Sequence, residues 1–314
     1  MADFSFSNEL INIKIDENYS LKFRPQELLD LTDQSYHFLL NNKDKFPPLI
    51  KKVEKNNFSF NVTFTDNLGF WKDLEDNIWE PETFQVFDRF LNDKTYYFDI
   101  GAWIGPTVLY CAQKTKKAFA FEPDPSAFKE LNANFYANKD AKWYNDVEIF
   151  NAAISDKPGK IRIGNEKSFG NSNSSILFAD EKLSVEVDSI SLIDFMKEQK
   201  LTDKKLFLKI DIEGGEFLIL PKIKDFLKEL DVTIYLSVHS VFINSFRNKN
   251  LNEFIKFPFN HTSFVYRHYK LLNALPFKNI YNAHGKKLNK GRELLKALFL
   301  ERFPAEIVLT NENW

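Results

Sequence analysis

The 314-residue chain carries 42 basic and 44 acidic residues, a formal net charge of −2, and 44% of its residues are hydrophobic. A near-neutral chain has no overall positive field to hold nucleic acid, so we expect no nucleic-acid partner. No apolar stretch of ~18 residues is present that could span a membrane, and the first 20 residues lack a basic start followed by an apolar run. We therefore expect a cytoplasmic globular protein without a membrane span.

The first part of the chain mixes strand-like and helix-like runs, such as residues 58–64 and 26–40, without a recognisable motif. We predict an α+β extension over residues 1–78, followed by a larger domain over residues 79–314. The sequence does not decide whether the extension binds substrate or forms an oligomer, so the oligomeric state stays open at this stage.

Short apolar runs alternate with helical patterns between about residues 95 and 240, which is typical of a parallel sheet with crossover helices. Helix starts are indicated at Pro106, at Asp124 with the following proline, and at Ser191, whose spacing to Asp194 resembles a capping box. Cys111 lies in an apolar helical stretch and is expected in the core. The predicted strands cover residues 96–100, 118–121, 147–151, 206–210 and 232–238, with a last strand at Glu306–Thr310.

A glycine-containing loop closes the first of these strands and opens a helix. It begins with Asp99 and contains Gly101 and Gly105, at a spacing that differs from the Gly-x-Gly-x-x-Gly pattern of dinucleotide loops, which cradle a pyrophosphate. Glycines at the carboxyl end of a strand let a ligand approach the backbone. The acid disfavours a pyrophosphate and suits the ammonium and sulfonium groups of S-adenosylmethionine. A plain strand–turn–helix is the alternative interpretation.

The second strand ends in Phe121-Glu122-Pro123, and Glu122 follows Asp99 by 23 residues, about one strand–helix–strand step. A carboxylate at this place can accept hydrogen bonds from both ribose hydroxyls of an adenosine. That role serves NAD and S-adenosylmethionine equally. The alternative is a helix-start acid that interacts with the helix dipole.

The most distinctive run in the chain follows the fourth strand and contains Lys209, Asp211, Glu213 and Glu216. Burying unpaired charges is costly, so these side chains should line a cleft or pair with one another. A purely structural Lys–Asp–Glu network is the alternative. Their place at the end of a strand favours a functional site.

Taken together, these motifs resemble the FkbM family of methyltransferases over about residues 79–240. The matching pieces are Asp99-Ile100-Gly101-Ala102 with Gly105, Phe121-Glu122-Pro123, Ala153-Ile154-Ser155-Asp156 with Gly159, and the run from Lys209 to Glu216. The resemblance implies an α/β, Rossmann-like class I methyltransferase fold with a seven-stranded, mostly parallel sheet and helices on both faces. It also implies S-adenosyl-L-methionine as methyl donor and O-methylation of a sugar, glycan or secondary metabolite.

The resemblance assigns roles to individual residues. The glycine loop would hold the methionine part of the cofactor, Glu122 the ribose, and residues 151–153 would lie near the adenine. The whole set assigned to the cofactor is Glu80, Asp99, Gly101, Ala102, Trp103, Gly105, Glu122, Pro123, Asn151, Ala152, Ala153 and Asp211. Lys209, Asp211, Glu213 and Glu216 would face or brace the reaction centre. Ser237 departs from the family, whose members often carry Glu there.

A hydroxyl acceptor must lose a proton during methylation. His239, at the end of the fifth strand, is the neutral base that we expect, because an imidazole has an unperturbed pKa of about 6.5. Asp211 and Glu213 are alternative bases. Together with His239 they are the candidate ligands of a divalent cation such as Mg²⁺, since hard cations prefer oxygen ligands. The spacing does not decide between these roles.

Two rival functions follow from the same motifs. Glu122 would also suit an NAD-dependent oxidoreductase, although the missing Gly-x-Gly-x-x-Gly pattern argues against it. The second rival is a non-catalytic or differently specialised protein on a methyltransferase-like fold. The acids are all present, which argues against a fold that has lost its activity. The sequence does not identify the acceptor.

Overall fold

The computed structural model describes residues 11–14, 20–23, 50–63, 67–165, 169–170, 183–239, 265–271, 275–300 and 303–314. The helix expected over residues 26–40 and all of residues 240–264 lie outside these ranges. The chain divides into two compact units, one made of Met1–Glu80 with Ala133–Ala141 and the other of Pro81–Asn132 with Lys142–Trp314.

Within its described residues, the first unit contains two antiparallel hairpins and a helix after them. Strands β1 (Ile11–Lys14) and β2 (Ser20–Phe23) form the first hairpin, and β3 (Ile50–Lys55) and β4 (Phe58–Thr63) form the second. Helix α1 (Leu68–Glu75) follows. The strand that the sequence predicts near residue 58 is confirmed as β4.

Ten strands are described in the second unit. Seven form one sheet in the order β13-β14-β12-β11-β5-β6-β7, in which β14 runs antiparallel to both neighbours and the other pairs are parallel. This confirms the predicted seven-stranded, mostly parallel sheet. The remaining three form a small sheet in the order β8-β10-β9. The strands are β5 (Thr95–Ile100), β6 (Lys117–Phe121), β7 (Val147–Phe150), β8 (Ala153–Ser155), β9 (Gly159–Gly164), β10 (Ser184–Ser191), β11 (Lys205–Ile210), β12 (Asp231–Ser237), β13 (Asn279–Asn282) and β14 (Glu306–Thr310).

Three helices begin where the sequence predicts them. Pro106 is the first residue of its helix, Asp124 Oδ1 accepts the N–H of Ser126 at 2.8 Å, and Ser191 Oγ accepts the N–H of Asp194 at 3.3 Å. The helices are α2 (Pro81–Phe90), α3 (Pro106–Cys111), α4 (Pro125–Tyr136), α5 (Leu192–Glu198), α6 (Glu216–Leu227), α7 (265–271) and α8 (Lys290–Leu300). Within the described ranges, no helix is long and apolar enough to cross a membrane.

Helices cover both faces of the main sheet, because successive strand side chains point to opposite sides. On one face, Phe98 packs against Phe195 of α5 with ring centroids 6.1 Å apart. On the other, Phe87 of α2 contacts both Tyr97 and Phe207 at 5.8 Å. The expected arrangement of helices on both faces is confirmed, and the buried strands leave their carboxyl ends as the place for chemistry.

Candidate active site

Three neighbouring parallel strands bring acidic residues to one edge of the sheet. Asp99 is the penultimate residue of β5, Glu122 follows β6, and Asp211 follows β11. The strands lie side by side in the order β11-β5-β6, with Lys209 in register with Asp99. Open α/β sheets bind ligands at this edge. These three strand-end acids, Asp99, Glu122 and Asp211, form the first cluster, and the sequence singles out all three.

The glycine loop packs directly against the end of β11. Gly101 has φ +84°, and a Cβ at this residue would lie 1.8 Å from the carbonyl oxygen of Asp211. Gly105 has φ +100°, and a Cβ there would lie 2.8 Å from Leu131 Cδ1. The contact with the Asp211 backbone therefore requires glycine at Gly101, and the positive φ favours glycine at Gly105, before any ligand is considered.

The backbone N–H groups of the loop donate to oxygens of the chain itself. Those of Gly101 and Ala102 donate to the last carbonyl of β6 at 3.0 and 3.1 Å, and that of Gly105 donates to the Ala102 carbonyl at 2.9 Å. The N–H of Trp103 donates to Glu122 Oε2 at 2.8 Å. A dinucleotide loop directs such groups at a phosphate, so this arrangement counts against the NAD-dependent alternative.

Asp99 lies beneath the loop and is fully buried. Thr107 Oγ1 donates to its Oδ2 at 2.5 Å, and Lys209 Nζ lies 3.2 Å from its Oδ1. Burial raises the pKa of Asp99, while the charge of Lys209 opposes that shift. The Lys209 ammonium also donates to the Gly101 carbonyl at 2.6 Å and lies 3.6 Å from Asp211 Oδ2. The Lys–Asp network expected as a structural alternative is therefore present, and Asp99 anchors Lys209.

Glu122 is 6% exposed and accepts backbone N–H groups on both oxygens. The donors are Trp103 at 2.8 Å and Asp124 at 2.7 Å. Burial raises the pKa of Glu122 to about 7. A carboxylate offers about four acceptor positions, so two of them are left for a ligand. Asn151 Nδ2 donates to the Glu122 carbonyl at 2.8 Å, which places the end of β7 beside this acid.

Trp103 and Asp124 both form hydrogen bonds with the backbone of Gly170, a link that sequence reasoning missed. Trp103 Nε1 donates to the Gly170 carbonyl at 3.0 Å, and Asp124 Oδ2 accepts the Gly170 N–H at 2.8 Å. Trp103 has φ +48°. These contacts hold Gly170 beside the glycine loop, and residues 166–168 and 171–182 on either side lie outside the described residues.

A second cluster, formed by Asp211, Glu213 and His239, lies where β11 and β12 end. His239 Nε2 is 3.6 Å from Asp211 Oδ1 and 3.4 Å from Glu213 Oε2. Burial lowers the pKa of His239. The fully buried Glu216 accepts the N–H groups of His239 at 2.8 Å and Gly214 at 2.9 Å, and burial raises its pKa to about 7. Glu216 therefore braces the segments that carry Glu213 and His239.

A further acid beside this cluster was missed by sequence reasoning. Glu306, at the start of β14, is in register with Ser237 of β12. Burial raises the pKa of Glu306, and the negative charges of Glu82 and Asp211 add to the shift. The sequence carries no signal for this proximity, because the pairing of β12 with β14 joins segments about 70 residues apart. An acid on β14 is therefore next to the position where Ser237 departs from the predicted family.

The model of the Methyltransferase FkbM domain matches residues 99–268, which is more than half of the chain. The chain belongs to the FkbM methyltransferase family. This confirms the resemblance that the motifs indicate, and the matched range contains both clusters described above. No curated protein sequence matches the chain.

Solved structures similar to this FkbM-family chain include methyltransferase FkbM from Methylobacillus flagellatus KT, with 17% identity, a TM-score of 0.34, and coverage of 50% of this chain and 39% of that one. A putative SAM-dependent methyltransferase from Streptococcus mutans has 10% identity, a TM-score of 0.37 and coverage of 84% and 55%. One from Listeria monocytogenes has 11% identity, a TM-score of 0.32 and coverage of 73% and 96%. The chain thus spans about two fifths of the length of the first structure.

The remaining residues that the resemblance assigns to the cofactor occupy two places. Glu80 belongs to the first unit, so its role stays a prediction. Pro123 accepts a long hydrogen bond from Asn151 Nδ2 at 3.3 Å on its carbonyl. Ala152 and Ala153 are buried directly after the end of β7. Their place beside Glu122 agrees with an adenine neighbourhood, which also stays a prediction.

Proposed function

We propose that this FkbM-family protein is an S-adenosylmethionine-dependent O-methyltransferase that acts on a hydroxyl group of a glycan or secondary metabolite. We propose the division predicted above, with the catalytic domain over residues 79–314. The observation that carries the proposal is the pair of acidic clusters at one sheet edge, both inside the range matched by the family model. Glu122 belongs to the cofactor side, and Asp211, Glu213 and His239 belong to the reaction side.

The cofactor side suits an adenosine with a cationic tail. Glu122 has acceptor positions left for the two ribose hydroxyls, and the N–H groups described for the glycine loop are already bonded within the chain. The loop therefore offers little to a pyrophosphate. Asn151 lies next to Glu122, where the adenine would be held. We assign Asp99 to anchoring Lys209, and through Lys209 the Gly101 carbonyl.

S-adenosylmethionine supplies a methyl carbon on a sulfonium sulfur, and transfer breaks that C–S bond, forms a bond from the acceptor oxygen to the carbon, and leaves S-adenosylhomocysteine. The chain must orient the acceptor and remove its proton. Burial keeps the His239 imidazole neutral at pH 7, so its Nε2 can accept a proton. Asp211 and Glu213 face the same nitrogen and would stabilise the resulting cation.

The acidic lining supports a hydroxyl-bearing acceptor. Carboxylates accept charge-assisted hydrogen bonds from O–H groups, and Asp211, Glu213 and Glu306 provide several oxygens in this neighbourhood. A sugar presents many such O–H groups on a small surface. This chemistry, together with the class of acceptor that the FkbM resemblance implies, is the basis for proposing a glycan or a polyhydroxylated metabolite.

Calorimetric titration with S-adenosylhomocysteine, with NAD as the comparison ligand, tests the cofactor. We expect binding of the former alone. Replacing Glu122 with Ala should weaken that binding by about 1–3 kcal/mol, because the ribose hydroxyls lose their acceptor. Binding of NAD would support the oxidoreductase instead, and binding of neither ligand would support a non-catalytic protein on this fold.

The atom that receives the methyl group needs a separate assay. The protein should be incubated with methyl-labelled S-adenosylmethionine and a panel of monosaccharides, oligosaccharides and amines, and the products analysed by mass spectrometry and NMR. We expect label on an oxygen of a hydroxylated acceptor. Label that appears only on nitrogen would contradict O-methylation and leave the cofactor assignment intact.

The pH dependence of stability provides a third test, which concerns Glu122 alone. Burial raises its pKa from 4.5 to about 7, so the stabilisation from its protonation is fully present below pH 4.5 and is lost as the pH rises through 7. Relative to Glu122→Gln, the free energy of unfolding in urea should therefore fall by about 2–3 kcal/mol between pH 5 and 8.

The matched control for this test is Glu186→Gln, at an exposed position. Its difference from the unmodified protein should stay constant from pH 6 to 8. Parallel profiles for Glu122→Gln and the unmodified protein would show that Glu122 is ionised throughout, and would contradict the shift.

A further inference from the structure

The contacts within the second cluster are longer than ordinary hydrogen bonds. His239 Nε2 lies 3.4 Å from Glu213 Oε2 and 3.6 Å from Asp211 Oδ1, whereas N–H···O bonds are usually about 2.7–3.2 Å long. The three ligand atoms all lie within 4.8 Å of one another. Around a cation with ligands at about 2.0–2.5 Å, two ligand atoms are about 2.8–3.5 Å apart at right angles and about 4–5 Å apart when they are opposite, so distances of about 3–5 Å are expected. The spacing therefore suits three groups that share one ion.

We propose that Asp211, Glu213 and His239 bind one divalent cation, of the type that accepts both carboxylate and imidazole ligands, such as Mn²⁺. Two carboxylates and one imidazole form a mixed ligand set that Mn²⁺ tolerates, while Mg²⁺ prefers oxygen alone. The role of the cation rests on the proposed function, but its binding does not.

The two oxygens of Asp211 face different partners. Oδ2 points toward Lys209 Nζ at 3.6 Å, and Oδ1 points toward His239. The Lys209 ammonium is held by the Asp99 carboxylate at 3.2 Å and the Gly101 carbonyl at 2.6 Å. The cation-facing oxygen of Asp211 is therefore the one that does not face Lys209.

A buried carboxylate outside the cluster holds two of the ligands in place. Glu216 accepts the backbone N–H of His239 at 2.8 Å and that of Gly214, the neighbour of Glu213, at 2.9 Å. Glu216 is 0% exposed, so these bonds are shielded from water. Supporting bonds of this kind fix the geometry of metal ligands, and they give the site its shape before an ion binds.

The proposal changes how the acceptor loses its proton. Three protein ligands leave up to three positions on a six-coordinate ion, enough for two neighbouring oxygens of a sugar and one water. A hydroxyl bound to the cation has a lowered pKa, and its proton passes to solvent water. His239 is then a ligand through Nε2, and this role replaces its role as base. The acceptors favoured are those with adjacent oxygens.

Titration of the full-length protein with Mn²⁺, after treatment with a chelator and dialysis, tests the site. Electron paramagnetic resonance counts free Mn²⁺, and calorimetry gives the affinity. We expect one ion per chain, and at least a tenfold weaker affinity in each of Asp211→Asn, Glu213→Gln and His239→Asn. Asp225→Asn, at an exposed residue paired with Lys228, is the matched control and should bind normally.

Pulsed electron paramagnetic resonance on the unmodified protein with bound Mn²⁺ gives a test that does not depend on how the variants fold. A ¹⁴N coupling from a directly bound imidazole is expected, and it should disappear in His239→Asn. Absence of stoichiometric binding, or equal binding in all three variants, would overturn the site. Titrating the metal-free protein with S-adenosylhomocysteine separates the two proposals. Cofactor binding without Mn²⁺ binding overturns only the cation, and Mn²⁺ binding without cofactor binding overturns only the methyltransferase function.

Discussion

Replacing Gly101 with Ala should lower the free energy of unfolding by more than about 3 kcal/mol, or prevent folding, because overpacking adds to backbone strain. The new Cβ would lie 1.8 Å from the Asp211 carbonyl oxygen, a backbone atom that no side-chain rotation can move away. The residue also has φ +84°, which costs an L-residue about 1–2 kcal/mol. Urea denaturation of the purified variant measures the loss.

Gly159→Ala separates the clash from the strain. Gly159 has φ +146°, and no atom lies within 4 Å of the Cβ it would gain, so only the conformational cost should appear there. If Gly101→Ala costs no more than Gly159→Ala, the loop and the end of β11 are less tightly packed than described. Because Asp211 belongs to both clusters, Gly101→Ala variants that fold should also bind S-adenosylhomocysteine and Mn²⁺ more weakly.

The strands of the main sheet were largely readable because parallel strands are buried on both faces and appear as continuous apolar runs. For five of these strands and for the last strand, Glu306–Thr310, the predicted ends agree with the structure within one or two residues. β13 (Asn279–Asn282) was missed, since it is four residues long with a polar residue at each end. The small sheet was also missed, because its alternating polar and apolar residues carry a weak signal in short strands.

The site was readable only in part. That Asp99, Glu122 and Asp211 meet at one edge follows from strand direction alone. Strand direction predicts neither how deeply each acid is buried nor which residue each acid contacts. The fully buried Asp99 anchors Lys209, and Glu306 lies opposite Ser237. Both facts depend on the register between strands, which the order of residues along the chain does not specify.

Replacing Lys209 with Met should lower the free energy of unfolding by about 3–5 kcal/mol, because it leaves the Asp99 carboxylate buried without its cation. The side chains of Asp99 and Lys209 are 0% and 8% exposed, so water cannot take the place of the lost partner. Lys209 also donates to the Gly101 carbonyl, which would lose its donor. Urea denaturation of the purified variant, compared with the unmodified protein, measures the effect.

A double-mutant cycle identifies the cause. Asp99→Asn keeps an oxygen for Thr107 and removes the charge, so the Lys209→Met/Asp99→Asn variant should recover much of the loss. Lys228→Met breaks an exposed pair with Asp225 and should cost no more than about 1 kcal/mol. Additive costs for Asp99→Asn and Lys209→Met would contradict the pairing, and Lys209 would then act through the Gly101 carbonyl alone. Strong coupling would mean that Asp99 stabilises the end of β11 through Lys209, which leaves Glu122 as the carboxylate that we propose for the ribose.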